Sequence, residues 1–131
     1  MIVVDASVLV TALADDHADG DRARAALQAA GALAAPELID LEVTSVLRRA
    51  VAGGRLDDRR ARQALDDLAA LPLTRAPHLA LLDRVWQLRA NVTPYDAAYV
   101  ALAEILGARL LTADVRLAHA PGPTCQIVVL S

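Results

Sequence analysis

Residues 93–114 read TPYDAAYVALAEILGARLLTAD, and this stretch decides the fold. Thr93 is placed to cap a helix, and Pro94 suits the first helical position, where a missing N–H costs nothing. The apolar run that follows reads as helix to about residue 106, and Gly107 stops it. Next comes RLLT, residues 109–112, which reads as a short strand. Two residues later stands Asp114. A helix leading straight into an apolar strand belongs to a sheet covered on both faces.

The same pattern recurs outward from this block. Residues 1–7 read MIVVDAS, a strand over 2–5 followed by a helix over 7–14. Further along, helix is expected over 19–30 and strand over 32–35. Pro36 is expected at the first turn of a helix that Gly53 and Gly54 close. Asp57 or Asp58 then starts a helix to about residue 70. A strand over 72–75, a helix over 78–90 and a last strand over 126–130 complete the chain. Strands and helices alternate, and the strands are apolar runs. The expectation is an α/β fold: a doubly wound, mostly parallel sheet of about five strands flanked by helices, in one domain over 1–131. Ligands of such sheets gather beyond the carboxyl ends of the strands, where the strand order reverses. Asp5 and Asp114 both end strands, so both point to that edge.

Composition removes several classes of function. All 13 basic residues are Arg and none is Lys. That excludes a Lys-dependent phosphate-binding loop, Schiff-base catalysis and receiver-type phosphotransfer. Mean hydropathy is high at +0.37, but no run approaches the roughly 18 apolar residues of a membrane span. Asp5 interrupts the apolar N-terminus, and no basic segment precedes it, which argues against a signal peptide. Cys125 is the single cysteine, so no disulfide is expected and a reducing cytoplasm is the default. Net charge is −3, which offers no global attraction to nucleic acid. Arg48, Arg49, Arg55, Arg59, Arg60 and Arg62 nevertheless crowd one segment. They are read as backbone contacts for RNA, chiefly Arg48, Arg49 and Arg55, or else as a solvated face or a partner contact.

Four acids need an explanation. Asp5 ends a strand of the most buried type, where a carboxylate is costly unless solvated, paired or bound to a cation; it also suits a helix cap. Glu42 has Leu38 and Val46 four residues to either side, so it sits on an apolar stripe or at its rim. Asp96 is the third helical residue after Thr93, which a capping box explains without function. Asp114 is a turn or cap residue, or a site residue. Taken together, Asp5, Asp96 and Asp114 are expected at one sheet edge, with Glu42 reaching in from a neighbouring helix. Four such carboxylates would not ionise together without a cation. Oxygen-only donors favour Mg²⁺ or Mn²⁺ over zinc. His17, His78 and His119 lie far apart in sequence and are read as surface residues.

The blocks MIVVDASVLV, PELIDLEVTSVLRRA and TPYDAAYVALAEILGARLLTAD, in that order, resemble the PIN-domain ribonucleases, most closely the VapC-type toxins of bacterial toxin–antitoxin pairs. The resemblance covers essentially the whole chain. It implies that Asp5, Glu42, Asp96 and Asp114 form the acidic quartet, with Asp5, Asp96 and Asp114 holding Mg²⁺ (or Mn²⁺) and Glu42 serving as base or ligand. It also implies that Ser7 and Thr112 border the metal site. The activity implied is hydrolysis of RNA; the partners implied are a cognate antitoxin protein and a second copy in a homodimer. A further acid often found after the last motif Asp is absent from VRLAHA, residues 115–120. Two other readings stay open. A phosphohydrolase with Asp5 as nucleophile usually needs a second acid two residues on, and a Lys. A solitary or inactive PIN-fold binding module would keep the fold without the chemistry.

Overall fold

The computed structural model describes residues 1–130. Five strands form one sheet: β1 (Ile2–Val4), β2 (Leu33–Pro36), β3 (Leu73–Ala76), β4 (Arg109–Thr112) and β5 (Ile127–Val129). Their order is β3-β2-β1-β4-β5 and every pairing is parallel, so the sheet is all-parallel rather than mostly so. The helices are α1 (Ala6–Ala14), α2 (Ala18–Ala30), α3 (Ile39–Ala52), α4 (Asp58–Ala70), α5 (Leu82–Gln87), α6 (Pro94–Leu106) and α7 (Val115–His119). The chain winds from β1 to β3 in one direction, then crosses back to β4 and on to β5. Right-handed crossovers therefore place α1–α4 on one face and α5–α7 on the other. The packing agrees: α1 touches α2, α3 and α4, and α5 packs on α6.

The core explains the composition. Val3, Val4, Val8, Leu9, Ile39, Val43, Val100 and Leu110 are fully buried. Ala97, Ala101 and Ala103 are buried with them on α6, the most enclosed helix. Small side chains let α6 lie close over β1, β2 and β4. Gly107 closes α6 in the left-handed conformation, φ 61°, which a side chain would disfavour.

Three local expectations need correction. Pro36 does not open a helix; it is the last residue of β2, opposite Ala76 of β3, and α3 starts at Ile39. The last β1 residues paired with β2 lie opposite Leu33 and Ala34, so Pro36 extends past that ladder, where its lack of an N–H breaks nothing. The helix over 78–90 is a 3₁₀ turn, Leu79–Leu81, followed by the short α5. Beyond it Leu88 and Val92 are buried, which needs the chain to turn inward before Pro94. His78 is not simply a surface residue: its Nε2 accepts a hydrogen bond from the Leu38 N–H at 3.0 Å, tying the end of β3 to the start of α3.

Candidate metal-dependent active site

The strand order reverses between β1 and β4, and the four acids lie around that point. Asp5 directly follows β1 and is 7% exposed. Its backbone N–H donates to the Leu111 carbonyl of β4 at 3.1 Å, so the two strand ends are locked together. Asp5 also caps α1, accepting from the Val8 N–H at 3.2 Å. Glu42 lies in the first turn of α3, Asp96 in the first turn of α6, and Asp114 caps α7 through the Arg116 N–H at 2.9 Å. Capping and clustering thus coexist. Each acid sits at a helix start, where the positive end of the helix dipole offsets part of its charge.

Two hydroxyls build the floor. Ser7 donates to Asp5 Oδ1 at 2.6 Å and accepts from the Ala113 N–H at 3.1 Å. Thr112, fully buried, donates to Asp5 Oδ2 and accepts from the Asp114 N–H at 3.0 Å. Both residues therefore orient the Asp5 carboxylate and at the same time pin the turn that carries Asp114.

The electrostatics are those of an uncompensated cluster. Burial raises the Asp5 carboxyl above its ordinary range, against the hydrogen bonds from Ser7 and Thr112 that lower it. Burial also raises Asp96, and the charges of Asp114 and Asp5 push it further up. Glu42 is raised by burial and then by Asp96 and Asp5, against a lowering hydrogen bond from Tyr99. Glu42 thus feels the charges of Asp96 and Asp5, and Asp96 those of Asp114 and Asp5. Arg116 approaches Asp114 at 3.6 Å, but its side chain is almost wholly exposed and contributes little. Among the described residues, no three carboxylate, imidazole or thiol groups converge tightly enough to enclose a metal unaided. The donors are oxygen throughout, they repel one another, and they lack a buried cationic partner. That suits a hard divalent cation that keeps part of its water shell.

A cleft of about 290 Å³ opens beside the acids, lined by Asn91, Thr93, Asp96, Asp114, Arg116 and Leu117 among others. The arginine-rich segment divides. Arg49 lies two turns beyond Glu42 on the same side of α3, about 10 Å along the axis, and donates to Ser45 at 2.9 Å. Arg48 lines a groove against α4 instead. Arg55 lies past the end of α3, in a cavity with Val10, Asp15 and Asp16. Arg60 is turned away, with a two-pronged contact to Asp16 at 2.9 and 3.0 Å. The residue that sequence reasoning missed is Tyr99. It is 1% exposed, and its phenol donates to Glu42 Oε1 at 2.6 Å. The available signal was its position one turn after Asp96, on the face that meets the sheet edge.

The PIN domain profile matches residues 2–123, so the chain belongs to the PIN-domain family. Ribonuclease VapC9 of Mycobacterium tuberculosis is 45% identical over 130 residues, covering 99% of this chain and 98% of that one. Ribonuclease VapC1 of the same organism is 48% identical over 126 residues, covering 95% and 94%. Within the family, the sequence stands with the VapC ribonucleases. The VapBC2 structure from Rickettsia felis, bound to a DNA fragment from their promoter, superimposes with a TM-score of 0.69 at 14% identity over 100% of both chains, which speaks for the fold.

Proposed function

We propose that this chain is a Mg²⁺-dependent endoribonuclease, the toxin of a toxin–antitoxin pair, acting through Asp5, Glu42, Asp96 and Asp114. The observation that carries the reading is the cluster itself: acids stand on four helix starts, burial and neighbouring carboxylates raise Glu42 and Asp96, burial raises Asp5, and no buried cation balances them. Such an arrangement costs stability unless something cationic binds there. Asp5, Asp96 and Asp114 would hold Mg²⁺, or Mn²⁺, directly or through its waters, and an ion held there would supply polarisation of a phosphodiester and a lowered pKa for a bound water. Glu42 orients or deprotonates the attacking water, and no side-chain nucleophile is required. Ser7 and Thr112 keep the Asp5 carboxylate aimed. The cleft at Asn91 and Arg116 and the exposed Arg49 flank the acids, where an RNA backbone would run.

The partners follow from the same reading. A toxin–antitoxin complex from Klebsiella pneumoniae shares this fold, with a TM-score of 0.69 at 18% identity over 100% of this chain and 98% of that one, and a cognate antitoxin is the corresponding partner here. Exposed Leu79, Leu82 and Trp86 give the α5 face apolar area suited to a second copy in a homodimer. Among the described residues no helix is long and apolar enough to cross a membrane.

The decisive experiment is cleavage of single-stranded and looped RNA by purified protein with Mg²⁺, with Mn²⁺ and with excess EDTA. Cleavage restored by Mg²⁺ after EDTA, and lost in Glu42→Gln with folding intact, is expected. Undiminished cleavage in EDTA would refute the metal role. Intact RNA under all conditions would refute the enzyme.

A further inference from the structure

Glu42 reaches the site from α3, on one face of the sheet, and Tyr99 reaches it from α6, on the other. They meet over the carboxyl edge of the sheet, joined by a 2.6 Å hydrogen bond from the phenol to Oε1. Among the described residues, Oε2 has no hydrogen-bond partner. We propose that Tyr99 is a positioning residue for Glu42, holding one carboxylate oxygen so that the other stays turned to the acid cluster.

The physical need is clear from the charges around Glu42. A glutamate side chain has three rotatable bonds, and Glu42 is only half-buried. Asp5 and Asp96 both repel its carboxylate. Left free, that carboxylate would swing towards solvent, away from both charges and away from any water it must act on. A buried phenol counters the repulsion with a short bond to a charged acceptor, the stronger class of hydrogen bond. Burial, then the bond and charge of Glu42, hold its ionisation far above the ordinary tyrosine range. Its ring cannot drift, because it is packed in the core between the sheet and α6. Satisfying one buried hydroxyl would explain a bond to any acceptor. Here the acceptor is the one acid of the cluster that stands aside from the strand ends and carries no cap or strand contact of its own carboxylate to hold it.

This inference rests on the ribonuclease reading, and its test is chosen to fail separately from it. The chain has two tyrosines, Tyr95 and Tyr99. With tyrosine carrying ¹³C at Cζ, the Tyr95→Phe variant assigns the Tyr99 resonance. That resonance is expected to move in Glu42→Gln and to move as Mg²⁺ is titrated into the wild type. An unmoved resonance in either case overturns the proposal whether or not RNA is cut. In RNA cleavage, Tyr99→Phe, which keeps the ring, is expected to lower kcat by about ten- to a hundredfold. KM is expected to stay within about twofold. In the Glu42→Gln background the same change should cost nothing more, since the group it positions is gone. An equal loss in both backgrounds makes Tyr99 merely structural, and an unchanged kcat in the wild-type background removes the role altogether.

Discussion

At the residue scale, the acids differ in how they are held, and their substitutions should differ accordingly. Burial, Asp114 and Asp5 raise the Asp96 pKa, and they outweigh the Thr93 hydroxyl and the Arg116 charge that lower it. A raised carboxylate contributes stability below its unfolded pKa, near 3.8, and loses it as pH rises through the folded value. At neutral pH the charge is therefore a liability. Asp96→Asn is expected to abolish cleavage and to raise the melting temperature of the metal-free protein by a few degrees at pH 7, with the gap closing as pH falls towards 4. Melts at the two pH values check the sign; a destabilised variant at pH 7 would contradict the uncompensated cluster. Asp5→Asn should also abolish cleavage but gain less stability. Ser7, Val8 and Thr112 all donate to Asp5, so an amide NH₂ there must face a donor. Thr112→Val removes a buried link to both Asp5 and the Asp114 N–H, and should cost about 1–3 kcal/mol in chemical unfolding.

At the element scale, helix starts place the site and a side-chain clamp secures the far end of α6. Thr93 accepts from the Asp96 N–H at 3.2 Å, and Thr93→Ala should cost about 1 kcal/mol of stability. Because the cap fixes the turn that carries Asp96, the same variant should weaken Mg²⁺ binding by calorimetry, which a cap remote from the acids would not do. Elsewhere, Glu104 of α6 binds Arg84 of α5 at 2.7 Å and 3.1 Å, and the Thr124 backbone and hydroxyl at 2.8 Å each. Burial alone would raise the Glu104 carboxyl, but Arg84 and Thr124 outweigh it and the net shift is downward. A depressed carboxylate gives stability that is complete above its unfolded pKa, near 4.5, and is lost as pH falls through the folded value. Glu104→Gln is thus expected to destabilise the protein at pH 7 and to flatten its loss of stability in acid. A variant whose acid profile still parallels the wild type would remove this clamp from the account.

At the scale of the whole molecule, the acid cluster and the clamp respond to pH in opposite directions, and a bound cation should tip the balance. Added Mg²⁺ is expected to raise the melting temperature of the wild type more than that of Asp96→Asn, because only binding to the folded state stabilises it. Equal shifts in both would mean that the ion binds elsewhere. Trp86 is the only tryptophan, is 67% exposed and lies under Arg89, whose guanidinium is 4.3 Å from the ring centre. If α5 forms the dimer contact, its fluorescence should shift to the blue as concentration rises through the range where sedimentation shows a dimer. A monomer at micromolar concentration would argue against the dimer.

The strand order, and with it the reversal point, came from the tertiary structure; the sequence by itself determined the alternation of strands and helices and the acids that end β1 and follow β4. Those features are local: apolar runs of strand length, Thr93 and Pro94 at a helix start, Gly107 at a helix end. Glu42 stood out as a carboxylate on an apolar stripe and Asp96 as an acid in the first turn after Thr93, and the family blocks gave both the same place in the acidic set. Tertiary structure alone decided the rest. Pro36 stays in β2 because its neighbour β1 is too short to need its N–H. His78 has a partner 40 residues away on α3, and Arg60 turns to Asp16 rather than to solvent. Tyr99 meets Glu42 across 57 residues, from the opposite face of the sheet. Such pairings depend on which faces the crossovers bring together, and residue spacing along one chain does not encode a distance between two helices on opposite sides of a sheet.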